Sequence, residues 1–171
     1  MHAFATLTGH PVEIPAEALS TLASSLQGEL LTPGSPDFDE ARSIWNGMID
    51  RHPAAIARCR NADDVVAAVR FARAHDLRIT VKGAGHNIAG NAVADGALMV
   101  DLSGMKGVAV DAASRTARVE PGCTLADVDA ETQKHGLAVP TGINSTTGIA
   151  GLTLGGGFGW MSRKHGLTID N

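Results

Sequence analysis

A single histidine, His86, stands in the stretch Val81–Ser103, VKGAGHNIAGNAVADGALMVDLS, among glycines, alanines and asparagines. Neighbours this small cannot pack around an imidazole, which raises the question of what the residue is for; a histidine in a glycine loop is most often a turn residue or a hydrogen-bond partner. An imidazole can serve as a nucleophile or a hydrogen-bond partner. Successive backbone N–H groups in a glycine loop can form a nest for an anion, of which a diphosphate is the natural example. A second cluster, GIAGLTLGGGFG from Gly148 to Gly159, places four glycines in its last five positions. Each costs a regular element roughly 0.5–1 kcal/mol relative to alanine, and close contact with a flat ligand is the simplest gain that offsets this.

Known phosphate-binding loops do not account for these segments. Gly83 and Gly85 follow a strand-like run, but the third glycine of a dinucleotide fingerprint is missing and the next element reads as a strand rather than a helix. No Gly-Lys-Ser/Thr sequence is present for a nucleoside-triphosphate loop. The histidines lack the spacings of a metal site, and Cys59 and Cys123 stand alone, so they read as small buried hydrophobes in a reducing compartment.

The elements that must position the loops are legible as alternating patterns. Residues 1–50 read as a helical lead-in. Its first helix starts at Pro15, places Leu19, Leu22 and Leu26 on one face and ends at Gly28. Its second is capped by Ser35, with Phe38, Ala41 and Trp45 inward. Trp45 and Trp160 read as packing residues, although Trp160 follows the glycine cluster closely enough to approach a ligand.

Beyond residue 50 the pattern predicts a strand at Ala54–Cys59 and a helix capped by Asn61, with Val65, Val66, Val69 and Ala72 buried. A strand over 77–82 follows, making a parallel βαβ unit. ALMVDLS reads as a further buried strand, and residues 107–122 as a hairpin. Thr124 and Asp127 form a capping pair for a helix that Gly136 stops. The remainder is loop-rich, and Arg163, Lys164 and His165 read equally as a surface cluster or as partners for an anion.

The chain has 171 residues, 20 glycines lying mostly beyond residue 80, and a formal net charge of −4 with both signs scattered. No basic stripe suggests nucleic acid, and no apolar run approaches the roughly 18 residues that span a membrane. A cytoplasmic location is the default expectation.

Taken in order, VKGAGHNIAGNAVADGALMVDLSGM, RTARVEPG and HGLAVPTGINSTTGIAGLTLGGGFGWMSRKHGLTIDN resemble the FAD-binding half of flavoproteins in the vanillyl-alcohol oxidase superfamily. The resemblance is to its berberine-bridge-enzyme-like and bacterial nicotine-oxidase-like members, over roughly residues 42–171. It implies an α+β fold of the FAD-binding PCMH type, with a small parallel βαβ sheet packed beside a second mixed or antiparallel sheet, over residues 51–171.

The resemblance further implies that Gly83, Ala84, Gly85, His86 and Asn87 wrap the FAD diphosphate, that Gly90 also binds the cofactor, and that His86 is bonded covalently to the 8α carbon of the flavin. Thr141, Gly142, Asn144, Thr147 and Gly148 would contact the cofactor from a second segment, together with Gly151, Leu154, Gly155, Gly156, Gly157 and Gly159. Many relatives carry a second covalent link through a cysteine at the position of Asn144, so attachment here is expected through His86 alone. Relatives continue past the RKHGLTIDN motif, so the end of the domain, the substrate domain and the catalytic base are expected to lie outside this chain.

The implied parent is an oxidoreductase that takes a hydride from a C–H bond beside an alcohol, amine or sugar hydroxyl. Its partners would be a small-molecule substrate and dioxygen or another electron acceptor. Two alternatives stand beside it: an inactive FAD-binding fragment, and a noncovalent reductase of the same fold.

Overall fold

The computed structural model describes residues 2–171, which divide into two compact units, Met1–Gly104 and Met105–Asn171. Both units mix helices with small sheets, the α+β class.

In the first unit, strands β1 (His2–Ala5) and β2 (Pro11–Ile14) form an antiparallel pair. Helix α1 (Ala16–Ser25) follows, then β3 (Glu29–Leu31), α2 (Phe38–Arg42), β4 (Ala55–Arg58), α3 (Ala62–Ala74), β5 (Ile79–Lys82) and β6 (Leu98–Asp101). The main sheet runs β3-β4-β6-β5. Strand β3 pairs antiparallel with β4, while β6 lies parallel to both β4 and β5, with Ile56 and Thr80 opposite Met99. Every residue of β6 is buried, as a central parallel strand covered on both faces must be. Leu31, Phe38, Ala41, Ile56, Val93 and Met99 form the core on one face. Cys59 is buried as well, and burial pushes its thiol up to about 12.

Several expectations for this unit need correction. Residues 2–50 hold three strands as well as two helices, and β3 joins the main sheet. Helix α1 ends at Ser25, short of Gly28, and Pro15 stands at its N-cap rather than inside its first turn. Gly28 has a different reason to be glycine: a Cβ there would lie 1.8 Å from the Arg58 carbonyl oxygen. Helix α2 has Asp37 instead of Ser35 at its N-cap position and ends before Trp45, which is 64% exposed.

Helix α3 has the expected Asn61 cap, whose side chain accepts from the Asp64 N–H at 2.9 Å, but its buried face is rotated. Asp64, Ala68 and Ala72 point inward, while Val66 and Val69 stay 44% and 42% exposed. The cause is Asp64, only 1% exposed, whose carboxylate accepts the backbone N–H groups of Gln27, Gly28 and Arg60 at 2.7, 3.0 and 2.9 Å. A hydrogen-bonded carboxylate inside fixes the rotation, and the alanines that follow it at helical spacing allow close packing.

In the second unit, β7 (Val108–Asp111) and β8 (Thr116–Val119) form the expected hairpin, with Val108 opposite Val119. Helix α4 (Leu125–Thr132) starts with the expected reciprocal cap: the Thr124 N–H donates to Asp127 at 2.8 Å and the Thr124 hydroxyl accepts from the Asp127 N–H. A 3-10 turn (Gln133–His135) ends at Gly136 in the left-handed region, with φ of 65°. Helices α5 (Ile149–Leu154) and α6 (Ser162–His165) complete the unit with a 3-10 turn at Thr168–Asp170. Cys123, Leu125, Val128 and Ile149 make its core. Among the described residues, no helix is long and apolar enough to cross a membrane.

Asp64 generates a test of this packing. Burial alone would raise its pKa, but the three backbone donors outweigh burial and hold the carboxyl below its ordinary value. Its stabilisation is therefore complete above the unfolded-state value of about 3.9 and is lost as pH falls through the folded one. Asp64→Asn is expected to cost about 1–3 kcal/mol in urea denaturation at pH 7 and to flatten the acid limb of the stability profile.

Candidate functional site

The first glycine loop begins where the parallel ladder stops. The Leu102 N–H donates to the Lys82 carbonyl at 2.8 Å, and the next residues leave the sheet. Among the described residues, no backbone N–H from Gly83 to Ala89 finds an acceptor within the protein, although Gly85 itself is buried. A run of unpaired donors at the end of two parallel strands is the donor set that an oxyanion group requires, and it fits a diphosphate. Gly83, Ala84, Gly85, His86, Asn87 and Gly90 thus share one loop, as the sequence implies.

Glycine is demanded at two of these positions. Gly85 has φ of 72°, and Gly90 combines φ of 74° with a position where a Cβ would lie 2.8 Å from the Ile49 side chain. The loop's carbonyls are held from the other side. The Trp45 N–H donates to the Gly85 carbonyl at 3.1 Å, and the Asn46 side-chain amide donates to the Ile88 carbonyl at 2.8 Å. Lys82 anchors the same segment by donating to the carbonyls of Ala41 and Ser43 at 2.6 and 3.0 Å, and burial lowers its pKa, with Asp101 partly opposing.

His86 is half-buried and makes no hydrogen bond with the described residues. Its imidazole stacks on the Trp45 indole instead, with ring centroids 5.8 Å apart and planes 20° from parallel. Sequence reasoning missed Trp45, Asn46 and the isoleucines beside them. Trp45 fell at helical spacing from Phe38 and Ala41, and nothing local marks a contact made across the loop.

The second segment is positioned by the start of α4. The Leu125 N–H donates to the Thr147 carbonyl at 2.9 Å, the Ala126 N–H to the Ser145 carbonyl at 3.0 Å, and the Ile149 N–H to the Cys123 carbonyl at 3.0 Å. Asn144 turns the chain there, its side-chain oxygen accepting from the Thr146 N–H at 3.2 Å and the Thr146 hydroxyl at 2.9 Å. Gly148 caps α5, and this short helix carries Gly151 and the 82% exposed Leu154.

Most glycines of this cluster answer to the protein's own backbone, which narrows the ligand-contact explanation for them. A Cβ at Gly159 would lie 1.8 Å from the Thr141 carbonyl oxygen, and one at Gly142 would lie 2.6 Å from Leu152. Gly156 and Gly157 have φ of 103° and 75°, and their carbonyls accept from Ile169 and Thr168. Gly155 forms the C-cap of α5. Gly151 differs: it lies within the helix, it is exposed, and a Cβ there would meet nothing within 4 Å.

The sequence pattern of an FAD binding domain matches residues 53–171, and the architecture is that of PCMH-type FAD-binding proteins. The chain belongs to this FAD-binding-domain family, whose cofactor is FAD.

It is 40% identical to (R)-6-hydroxynicotine oxidase of Paenarthrobacter nicotinovorans, over 86% of this chain and 32% of that protein. An FAD-linked oxidoreductase of Dictyostelium discoideum is 40% identical over 91% of this chain and 34% of that protein. The chitooligosaccharide oxidase of Gibberella zeae is 32% identical over 96% and 34%. Among solved structures, 6-hydroxy-D-nicotine oxidase from Arthrobacter nicotinovorans superimposes with a TM-score of 0.83 at 40% identity, over 86% of this chain and 32% of that one. A BBE-like protein of Physcomitrella patens gives 0.82 at 32% identity, over 90% and 34%. The chain spans about a third of the length of these relatives.

The two kinds of glycine separate by mutation. Gly159→Ala is expected to lower stability by about 1–3 kcal/mol, because backbone must move to admit the methyl group. Gly151→Ala is expected to raise it by about 0.5–1 kcal/mol by favouring the helix. Urea denaturation of both variants checks the assignment, and equal effects at the two positions would contradict it.

Proposed function

We propose that this chain is the FAD-holding part of a flavin-dependent oxidoreductase, with FAD bonded covalently through His86. The observation that carries the reading is the run of unpaired backbone donors from Gly83 to Ala89 with the unbonded imidazole of His86 inside it. Those N–H groups would donate to the diphosphate oxygens and offset their charge. In the second unit, Thr141, Gly142, Asn144, Thr147 and Gly148 are proposed cofactor contacts, as are Gly151, Leu154, Gly155, Gly156, Gly157 and Gly159. The amide nitrogen of Asn144 is free to donate because only its oxygen is used in the local turn.

FAD, when bound, supplies a hydride acceptor for a C–H bond beside an alcohol, amine or sugar hydroxyl, and dioxygen or another acceptor takes the electrons onward. The names of the relatives, a 6-hydroxynicotine oxidase and a chitooligosaccharide oxidase, support small-molecule substrates of this kind. This chain's residues bind and orient the cofactor. For the tether, His86 would give up its N–H proton and form an N–C bond to the 8α methyl carbon in exchange for one of that carbon's hydrogens, and dioxygen would take the two electrons and two protons and leave as hydrogen peroxide.

The test is to express the protein with flavin available, denature it, and follow flavin by gel fluorescence and peptide mass. Flavin is expected on the peptide containing His86, and His86→Ala should bind FAD yet release all of it on denaturation. Release of all flavin from the unaltered protein would overturn the covalent reading.

A further inference from the structure

No hydrogen bond among the described residues holds the His86 imidazole in one orientation. Its sequence neighbours Gly85 and Asn87 lie between Ala84 and Ile88, its imidazole makes no hydrogen bond, and the backbone beside it takes the left-handed conformation at Gly85. An imidazole on such a loop would sample several rotamers, each placing its nitrogens differently. One aromatic ring, Trp45, stacks on it. The pair's 5.8 Å centroid separation and 20° interplanar angle lie within the offset-stacked geometry, which spans roughly 4.5–7 Å.

The main chain that carries the indole is fixed relative to the loop. The Trp45 backbone N–H donates to the Gly85 carbonyl at 3.1 Å, the Asn46 side chain next to it donates to the Ile88 carbonyl, and Ile44 and Ile49 lie against Gly85 and Gly90. The segment that presents the indole is therefore tied to the loop that presents the imidazole. Trp45 is not a core residue, since 64% of it is exposed, and it precedes residues 53–171, the part matched by the family pattern.

We infer that Trp45 is a positioning residue for His86: stacked on one face of the imidazole, it holds the ring in the orientation from which the bond to the flavin 8α carbon forms. The inference rests on the reading of His86 as the attachment residue. Bond formation needs the nitrogen already placed when the cofactor arrives, and a ring freed by loss of the indole reacts only from a fraction of its rotamers. Dioxygen remains the oxidant, and Trp45 takes no part in the electron or proton balance.

The experiment mixes flavin-free protein with FAD in air and samples covalent flavin over time by denaturation, alongside total flavin bound before denaturation. Trp45→Ala is expected to bind FAD but to slow covalent incorporation by about tenfold, and Trp45→Phe to restore most of the rate. In flavin-free protein, the His86 C2–H proton resonance, displaced by the indole ring current, should move when Trp45 is replaced by alanine. This second readout does not depend on flavin and reports the stack even if Trp45→Ala weakens FAD binding. Unchanged incorporation in Trp45→Ala, an unmoved His86 resonance, or a Trp45→Phe protein as slow as the alanine variant would overturn the inference while leaving the tether in place. Complete release of flavin from the unaltered protein would overturn the His86 reading and this inference with it.

Discussion

A backbone that keeps its N–H groups without internal acceptors from Gly83 to Ala89 cannot hold its own shape, because the hydrogen bonds that make helices and sheets rigid are the ones it forgoes. Such a loop must be fixed through its carbonyls, its glycine dihedrals and its two ends. The first unit supplies all three. Strand β5 anchors one end at Lys82 and β6 the other at Leu98, whose N–H donates to the Arg78 carbonyl, and Trp45 and Asn46 donate to the carbonyls of Gly85 and Ile88. The left-handed turns at Gly85 and Gly90 bring the loop onto Ile44 and Ile49.

The sheet beneath can carry this load because its central strand is buried throughout and its covering helix is locked. Asp64 joins the start of α3 to the chain between α1 and β3 and to the end of β4, so one carboxylate sets the helix rotation and the crossing of three segments. In the second unit the reciprocal cap of Thr124 and Asp127 does comparable work. It fixes the start of α4, and the first N–H groups of that helix reach the carbonyls of Ser145 and Thr147. In the second unit, then, a helix start defines where the glycine segment lies.

Much of this was legible in the sequence. The strands at β4, β5 and β6, the hairpin, and the caps at Asn61 and Thr124 follow from periodicity and local chemistry, which act over a few residues. The errors came where a long-range contact overrides a local pattern. Val66 and Val69 are hydrophobic, yet they face outward because Asp64 claims the interior. Trp45 matches a helical stripe, yet the helix ends before it and the indole lies on His86. The glycine cluster at Gly155–Gly159 signalled close approach correctly, but at Gly157 and Gly159 the approaching atoms belong to Thr168 and Thr141. Sequence alone does not distinguish a chain approaching itself from a chain approaching a ligand.

The most direct measurement of the central claim, that the donors from Gly83 to Ala89 are held open for a diphosphate, is amide hydrogen exchange across that loop with and without ADP. This ligand carries the diphosphate but no flavin ring, so it separates the cradle from the tether. The account expects slowed exchange at Gly83–Asn87 when ADP binds, in the unaltered protein and in His86→Ala alike. Bound ADP that leaves these amides exchanging as fast as in the free protein would contradict it.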